Sequence, residues 1–399
     1  MQKKSIQIVI LVDSIIKLKN EEQMLLQCAR TQINYNNQKK IISLVRSGLD
    51  WEYLLKLAVK HKLQQLLYWQ INQISLVELP PEVFKYLSIF FRNNATKNLF
   101  YMKEILNIVN MLSEMDIISF PYKGPILAQQ VYGNLSMRQF GDLDLLVRKE
   151  DVTPIKKILI SQGYKPEFDL DPIQERNYLN SQRELKFINE IKGVSLELHW
   201  KFSGIFLNLP RNAEKLLLDN LNSINIGGVS IPIISPENMV LILSIHNASH
   251  YWSRLSWLAD IATLIDNQKI EWAYVLETAQ KLSIKRILLI NLYLCHILLD
   301  LKLDKNIISL LSNMSIIKTS NIFIKNIFSP NVEYTLIDNI RVSMKIRENK
   351  VDGLKDCFIG IFNPSFYELN NLKLPSSLFF LYYIYRPLNL LKRYKLFKF

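Results

Sequence analysis

The sequence predicts an α+β protein: a small mixed β-sheet core, α/β in character, flanked by N-terminal and C-terminal helical regions. Three observations predict it. Apolar residues recur at helical spacing up to about residue 95, short strand-like runs alternate with helices between 116 and 235, and helical spacing returns after Ser235-Pro236-Glu237. The expected divisions are 1–95, 96–235 and 236–399.

In the first region "DWEYLLKLAVKHKLQQLLYWQI" places Leu54, Leu55, Leu57, Ala58, His61, Leu63, Leu66 and Leu67 at helical spacing, with Asp50 as the expected N-cap. Pro80–Pro81 ends this block, and Glu82 opens a helix running toward Met115. "IISF" then reads as a buried strand and "YKG" as a turn. Pro125 suits the first turn of the helix "PILAQQVY", which Gly133–Asn134 ends. "DLDLLV" reads as a strand and "EDVTPIKKILISQGY" as a helix, with Thr153 at its start and Gly163 past its end. "ELKFINEIKGVSLELHW" reads as a hairpin turning at Lys192–Gly193, and "INIGGVSIPII" as a second hairpin. The C-terminal tail is aromatic and basic. Packing onto the helical region is expected of it in preference to peripheral contact with a membrane surface.

The chain of 399 residues carries a net charge of +13, which favours anionic partners such as nucleotide phosphates, nucleic acid or a lipid surface, unless scattered lysines alone account for it. Cys28, Cys295 and Cys357 are far apart, so no disulfide framework or cysteine zinc site is expected, and a reducing cytoplasm fits best. The N-terminal run "MQKKSIQIVILVDSIIKLKN" lacks a cleavage site for a signal peptide, and no transmembrane segment is expected.

Chemistry concentrates in two strands. Side chains alternate along a strand, so in "GDLDLLV" Asp142, Asp144 and Leu146 share one face, and Leu143, Leu145 and Val147 share the other. Two ionised carboxylates that close repel by a few kcal/mol at an effective dielectric of about 20. A hard divalent cation would offset this, and Mg²⁺ sites acting on phosphates use such carboxylates. Solvated ends of an edge strand are the plainer alternative. In "VSLELHW" Glu197 and His199 share a face opposite Leu196, Leu198 and Trp200. If the two strands are neighbours, three carboxylates converge as two-metal phosphoryl transfer requires.

The order "strand–KG–helix–RxxGDxDxLV–…–ELHW" resembles the nucleotidyltransferase superfamily with the polymerase-beta-type core, and more narrowly the uncharacterised bacterial nucleotidyltransferase family. "DWEYLLKLAVKHKLQQLLYW" and "ISPENMVLILSIHNASHYWSRLSWLADIATLI" resemble its flanking helical segments. The resemblance implies that Asp142, Asp144 and Glu197 are the catalytic carboxylates and metal ligands, Glu197 also helping to activate an acceptor hydroxyl. It implies that Gly124 approaches the triphosphate and that Lys123 and Arg138 neutralise phosphate charge. The chain departs from the superfamily at Gly124–Pro125, where proline removes a backbone N–H that would meet phosphate.

The expected function is therefore that of a cytoplasmic, Mg²⁺-dependent (or Mn²⁺-dependent) nucleotidyltransferase. It would move a nucleoside monophosphate from an NTP to an acceptor hydroxyl on a small molecule, peptide or protein and release pyrophosphate. A non-catalytic, antitoxin-like nucleotide-binding module and an RNA-directed enzyme are the alternatives; no basic stripe interleaved with aromatics supports the latter. His246 and His250 read as packing histidines, with His250 and Arg254 otherwise on the acceptor side. His199 reads equally as a partner of the site or a packing residue, and Asp260 as a buried polar anchor.

Overall fold

The computed structural model describes residues 17–74, 78–203, 207–329, 334–372 and 374–393; the N-terminal run weighed as a signal segment lies mostly outside them. The main sheet has the order β1-β2-β5-β4-β3, built from β1 (Ser119–Pro121), β2 (Leu143–Val147), β3 (Lys165–Pro166), β4 (Glu184–Asn189) and β5 (Val194–His199). β2 and β5 are parallel, whereas β1–β2, β4–β5 and β3–β4 are antiparallel, so the sheet is mixed. β6 (Leu221–Ile226) and β7 (Val229–Ile234) form a separate hairpin.

The strand alternation read from the sequence decides what each face touches. Leu143, Leu145 and Val147 of β2 join Leu196 and Leu198 of β5 in one apolar cluster. The helix Val152–Ser161 and the C-terminal half of the long helix Pro81–Ser113 cover it with Ile155, Leu159, Ile105 and Val109. The opposite face carries Asp144, Glu197 and His199, and only Leu146 of β2 joins the second apolar cluster there. That second cluster is shared by the two flanking regions: Met24, Leu54 and Leu66 pack with Leu258, Ile261 and Leu288. The N-terminal and C-terminal helices therefore meet each other across the polar face of the sheet. The helix Pro81–Ser113 passes through residue 95 without a break.

Local signals explain several boundaries. The Asp50 carboxylate accepts the Tyr53 N–H at 2.9 Å, capping the helix Trp51–His61. The Ser235 hydroxyl likewise accepts the Asn238 N–H, with Pro236 at the first helical position of Pro236–Ser249. Two boundaries differ from expectation. The periodic stretch from Trp51 is not one helix: it ends at His61, Lys62 takes a left-handed conformation (φ 53°), and a new helix runs Gln64–Ile74. The helix expected from Thr153 starts at Val152, because the Thr153 hydroxyl donates to Glu175 at 2.6 Å instead of capping the helix.

In the tail, the helix Leu381–Arg393 packs on the helix Lys350–Phe362 and, through Tyr382, on the sheet core. Among the described residues no single helix is long and apolar enough to cross a membrane; the bent pair Lys305–Leu311 and Met314–Phe328 has the composition but breaks by 78°.

Candidate active site

β2 and β5 are neighbours, and their register pairs Asp144 with Glu197. Side chains at paired positions of adjacent strands leave on the same face, so this pairing alone brings the two carboxylates together. Asp142 lies one residue before β2, at its mouth. All three line a cavity of 370 Å³ between the sheet and the two helical regions. Among the described residues Asp144, Glu197 and His199 form a group of potential metal ligands whose donor atoms lie within 4.8 Å of one another. His199 thus enters the cluster itself. The alternation in "LELH" was the signal for it, since any residue two beyond Glu197 shares its face.

The glycine before Pro125 has a structural reason beyond any ligand. Gly124 has φ +53°, and a Cβ there would stand 3.2 Å from the Asp142 carbonyl oxygen. The start of the helix Gly124–Tyr132 is therefore pressed against the backbone that carries Asp142. Lys123, immediately before it, places its ammonium 3.0 Å from Asp144 Oδ1.

Asp144 is only 5% exposed. Burial would raise its pKa, but Lys123 and the hydrogen bond from His199, at 3.2 Å, reverse this and hold it well below the usual carboxylate range. Burial alone would lower the pKa of His199, yet Asp144, Glu197 and Glu184 raise it above an ordinary imidazole. The Glu184 carboxylate sits 3.2 Å from His199 Nδ1 and 3.0 Å from Arg183, and Glu197 is 3.5 Å from His199 Nε2. Asp142 behaves in the opposite way. Burial, then Asp144 and Glu197, hold its carboxyl above the usual range, and among the described residues it has no ion-pair partner. The carboxylate cluster is thus only partly balanced, which suits a group of oxygen ligands plus one imidazole awaiting a divalent cation.

Arg138 also lines the cavity, but its guanidinium is bound to Asp260, with Nε 3.0 Å from Oδ2. Tyr132 donates to the same carboxylate at 2.8 Å. Asp260 is 2% exposed, so it anchors its helix, Leu255–Asn267, onto Arg138 of the core. On the cavity wall His246 meets Trp257 edge-on and His250 lies tilted against the same ring, each with centroids 5.0 Å apart, and the two imidazoles meet edge-on at 4.8 Å. Burial, then nearby cations led by Lys123, push the His246 imidazole well below its ordinary value. Packing and cavity lining are therefore both served by these rings. Lys62, Arg183 and Glu184 also line the cavity, with no prior signal in the sequence.

All three cysteines are buried and unpaired as thiols. No curated protein matches the chain. The model of the uncharacterised nucleotidyltransferase family, transferases of phosphorus-containing groups, matches residues 47–300, a span that holds both carboxylate strands and the helices enclosing the cavity, and the chain belongs to that family.

Proposed function

We propose that the protein is a cytoplasmic nucleotidyltransferase that uses Mg²⁺, or Mn²⁺, to move a nucleoside monophosphate from an NTP to an acceptor hydroxyl. The observation that carries this reading is the register of Asp144 against Glu197 on adjacent parallel strands, with Asp142 at the same cavity mouth. Asp142, Asp144 and Glu197 would hold the metal, and His199 adds a nitrogen donor beside them. The ion, when bound, supplies charge stabilisation to the transferring phosphate and acidifies the attacking hydroxyl.

The chain's own residues do the rest. Lys123 bridges the cluster to the helix that starts at Gly124, where phosphate oxygens would approach the backbone. Arg138 faces the same space with its charge already balanced by Asp260. Glu197 orients the acceptor and takes its proton. The acceptor oxygen bonds to the α-phosphorus, the bond from the α-phosphorus to the α,β-bridging oxygen breaks, and pyrophosphate leaves with that oxygen and the electron pair. Positioning and fixed charges supply most of the rate in such a transfer.

Helices from both sides enclose the cavity, which favours a compact acceptor, a small molecule or an exposed peptide side chain, over a nucleic-acid duplex. The test is mass spectrometry of candidate acceptors after incubation with each of the four NTPs and Mg²⁺. A mass gain of one nucleoside monophosphate is expected with wild type and not with Asp142→Asn. Equal transfer by both proteins would refute the assignment.

A further inference from the structure

The charges around the cavity do not cancel evenly. Three cations are matched locally: Lys123 with Asp144, Arg138 with Asp260 and Arg183 with Glu184. Lys62 and Arg254 also line the cavity, and among the described residues neither has an ion-pair partner. Both are half-buried. Burial lowers the pKa of each, and for both the carboxylate acting in the opposite direction is Asp142. Cations held that way cost free energy unless something anionic comes to meet them.

Their placement is fixed by backbone. Lys62 is the residue that breaks the N-terminal helix pair, in a left-handed conformation that a lysine adopts only when its surroundings impose it. Gln65 donates to the Lys62 carbonyl at 3.1 Å and to the Met137 carbonyl at 3.2 Å, pinning the break to the core. Arg254 follows Tyr251 and Trp252, two consecutive residues with φ near 50°, and precedes the helix Leu255–Asn267. The residues next to the two cations are bonded to each other: Leu255 N–H donates to His61 Nδ1 at 3.3 Å. One hydrogen bond thus joins the N-terminal region to the C-terminal region at the point where each presents a cation. Arg254 lies over the Trp257 ring at 5.0 Å, which stiffens its aim.

We propose that Lys62 and Arg254 form a clamp for a polyphosphate chain, contributed by the two flanking helical regions across from the carboxylates of the sheet. As the site of the NTP's β- and γ-phosphates, the clamp rests on the nucleotidyltransferase reading. It supplies the phosphate contact that Pro125 cannot make.

Calorimetric titration with inorganic tripolyphosphate in EDTA separates the two claims. Wild type should bind, Lys62→Met and Arg254→Gln should each bind at least about tenfold more weakly, and Lys62→Arg should recover most of the loss. Asp142→Asn should bind at least as well as wild type, because a repelling charge has gone. In turnover, Lys62→Met and Arg254→Gln should raise KM for the nucleotide and leave KM for the acceptor unchanged. Unaltered tripolyphosphate affinity in both charge-removing variants overturns the clamp, even if transfer is observed. Loss of tripolyphosphate binding in those variants with no nucleotidyl transfer by wild type would leave the clamp and remove the transferase reading.

A separate surface carries a second inference. The helix Lys350–Phe362 exposes Val351, Leu354 and Phe358, and the segment leading through the helix Leu381–Arg393 exposes Phe380, Ile384 and Leu388. These spacings are single helical stripes, and the two helices pack together. Residues 369–399 contain six Lys or Arg and no Asp or Glu, and of those basic residues Arg386 is paired with Glu368. Asp352 lies on the first helix, but the sequence of 369–399 is basic throughout, and apolar stripes joined to a basic sequence match an anionic lipid surface. A second copy would bring the same positive charge against itself. We infer that this end of the molecule docks on anionic membranes. The full chain should co-sediment with vesicles of phosphatidylcholine and phosphatidylglycerol, less so in high salt, and not with phosphatidylcholine alone. The double variant Ile384→Ser, Leu388→Ser should lower the bound fraction at least about fivefold. No binding to the anionic vesicles, or a dimer in sedimentation velocity that the same double variant abolishes, would overturn this inference.

Discussion

Two sets of buried charges in this molecule look alike in composition and differ in completion. In the C-terminal region Arg347 binds Asp356 through Nε at 2.6 Å and Nη2 at 3.1 Å, both side chains all but inaccessible. Its remaining donors reach the carbonyls of Ser283 and Asn208, and the Asn208 N–H returns a bond to Asp356 at 2.7 Å. Every partner is present, and the pair staples the helix Lys350–Phe362 to the segment at Asn208. Around β2 and β5 the charges are less deeply buried and unfinished: among the described residues none of Asp142, Lys62 and Arg254, which line one cavity, has an ion-pair partner within 4 Å. A fold can hold a self-contained ion pair for stability alone. Separated, unmatched charges of both signs across one cavity raise the free energy of the empty protein, and their use is to bind what completes them.

Removing a charge from each set should separate activity from stability. Asp142→Asn should lower transfer at least about 10³-fold, about 4 kcal/mol of barrier. Its melting temperature should not fall, because the substitution relieves repulsion from Asp144 and Glu197. Arg347→Ala should do the reverse. Leaving Asp356 buried and unpaired should cost about 3–5 kcal/mol of stability in chemical denaturation, with kcat of the folded protein unchanged. A stable Arg347→Ala, or a destabilised Asp142→Asn, would erase the distinction drawn between the two sets.

Metal should act on one set only. At a hundredfold excess over its Kd, Mg²⁺ should stabilise wild type by about 2.7 kcal/mol in thermal unfolding. The Asp142→Asn protein should show little of this, whereas Arg347→Ala should show it in full.

The smallest effect concerns His61, which keeps the two cation-bearing segments together. Burial, then Lys60 and Arg254, push it down to about 3. The unfolded chain takes up a proton near pH 6.5 that the folded one refuses. Stability contributed by neutral His61 is therefore present above pH 6.5 and declines as pH falls toward 3, by at most about 1.4 kcal/mol per unit. His61→Gln can still accept the Leu255 N–H but cannot titrate, so its stability should decline less steeply over that range. Parallel profiles would show that His61 is not the group responsible.

Much of the site was legible because it is written in local period. Alternation along "DLDLLV" and "LELHW" sorts Leu143, Leu145, Leu196 and Leu198 from Asp144, Glu197 and His199, and the structure keeps that sorting. Caps at Asp50 and Ser235 were equally local. What escaped depends on distant partners. The adjacency of β2 and β5 joins residues more than 50 positions apart and has no local mark. The break at Lys62 carries neither glycine nor proline; its left-handed turn is held by Gln65 against Met137. β3 is two residues long, too short to show a period. The helix Pro172–Ser181 does carry a local mark, the capping box formed by Asp171 and Gln174 with Pro172 at the first helical position. The resemblance alone marks Arg138 as a phosphate ligand, and nothing local in the sequence shows that Asp260, 122 residues away, binds its guanidinium.

The most direct measurement needs no acceptor. Titration of Mn²⁺ followed by electron paramagnetic resonance, with ATP present, reports how much ion the protein removes from solution. The account predicts that wild type depletes the free Mn²⁺ signal beyond what ATP alone does, and that Asp142→Asn and Glu197→Gln each lose most of that excess. Identical free-ion signals with wild type, with the two variants and with ATP alone would contradict it.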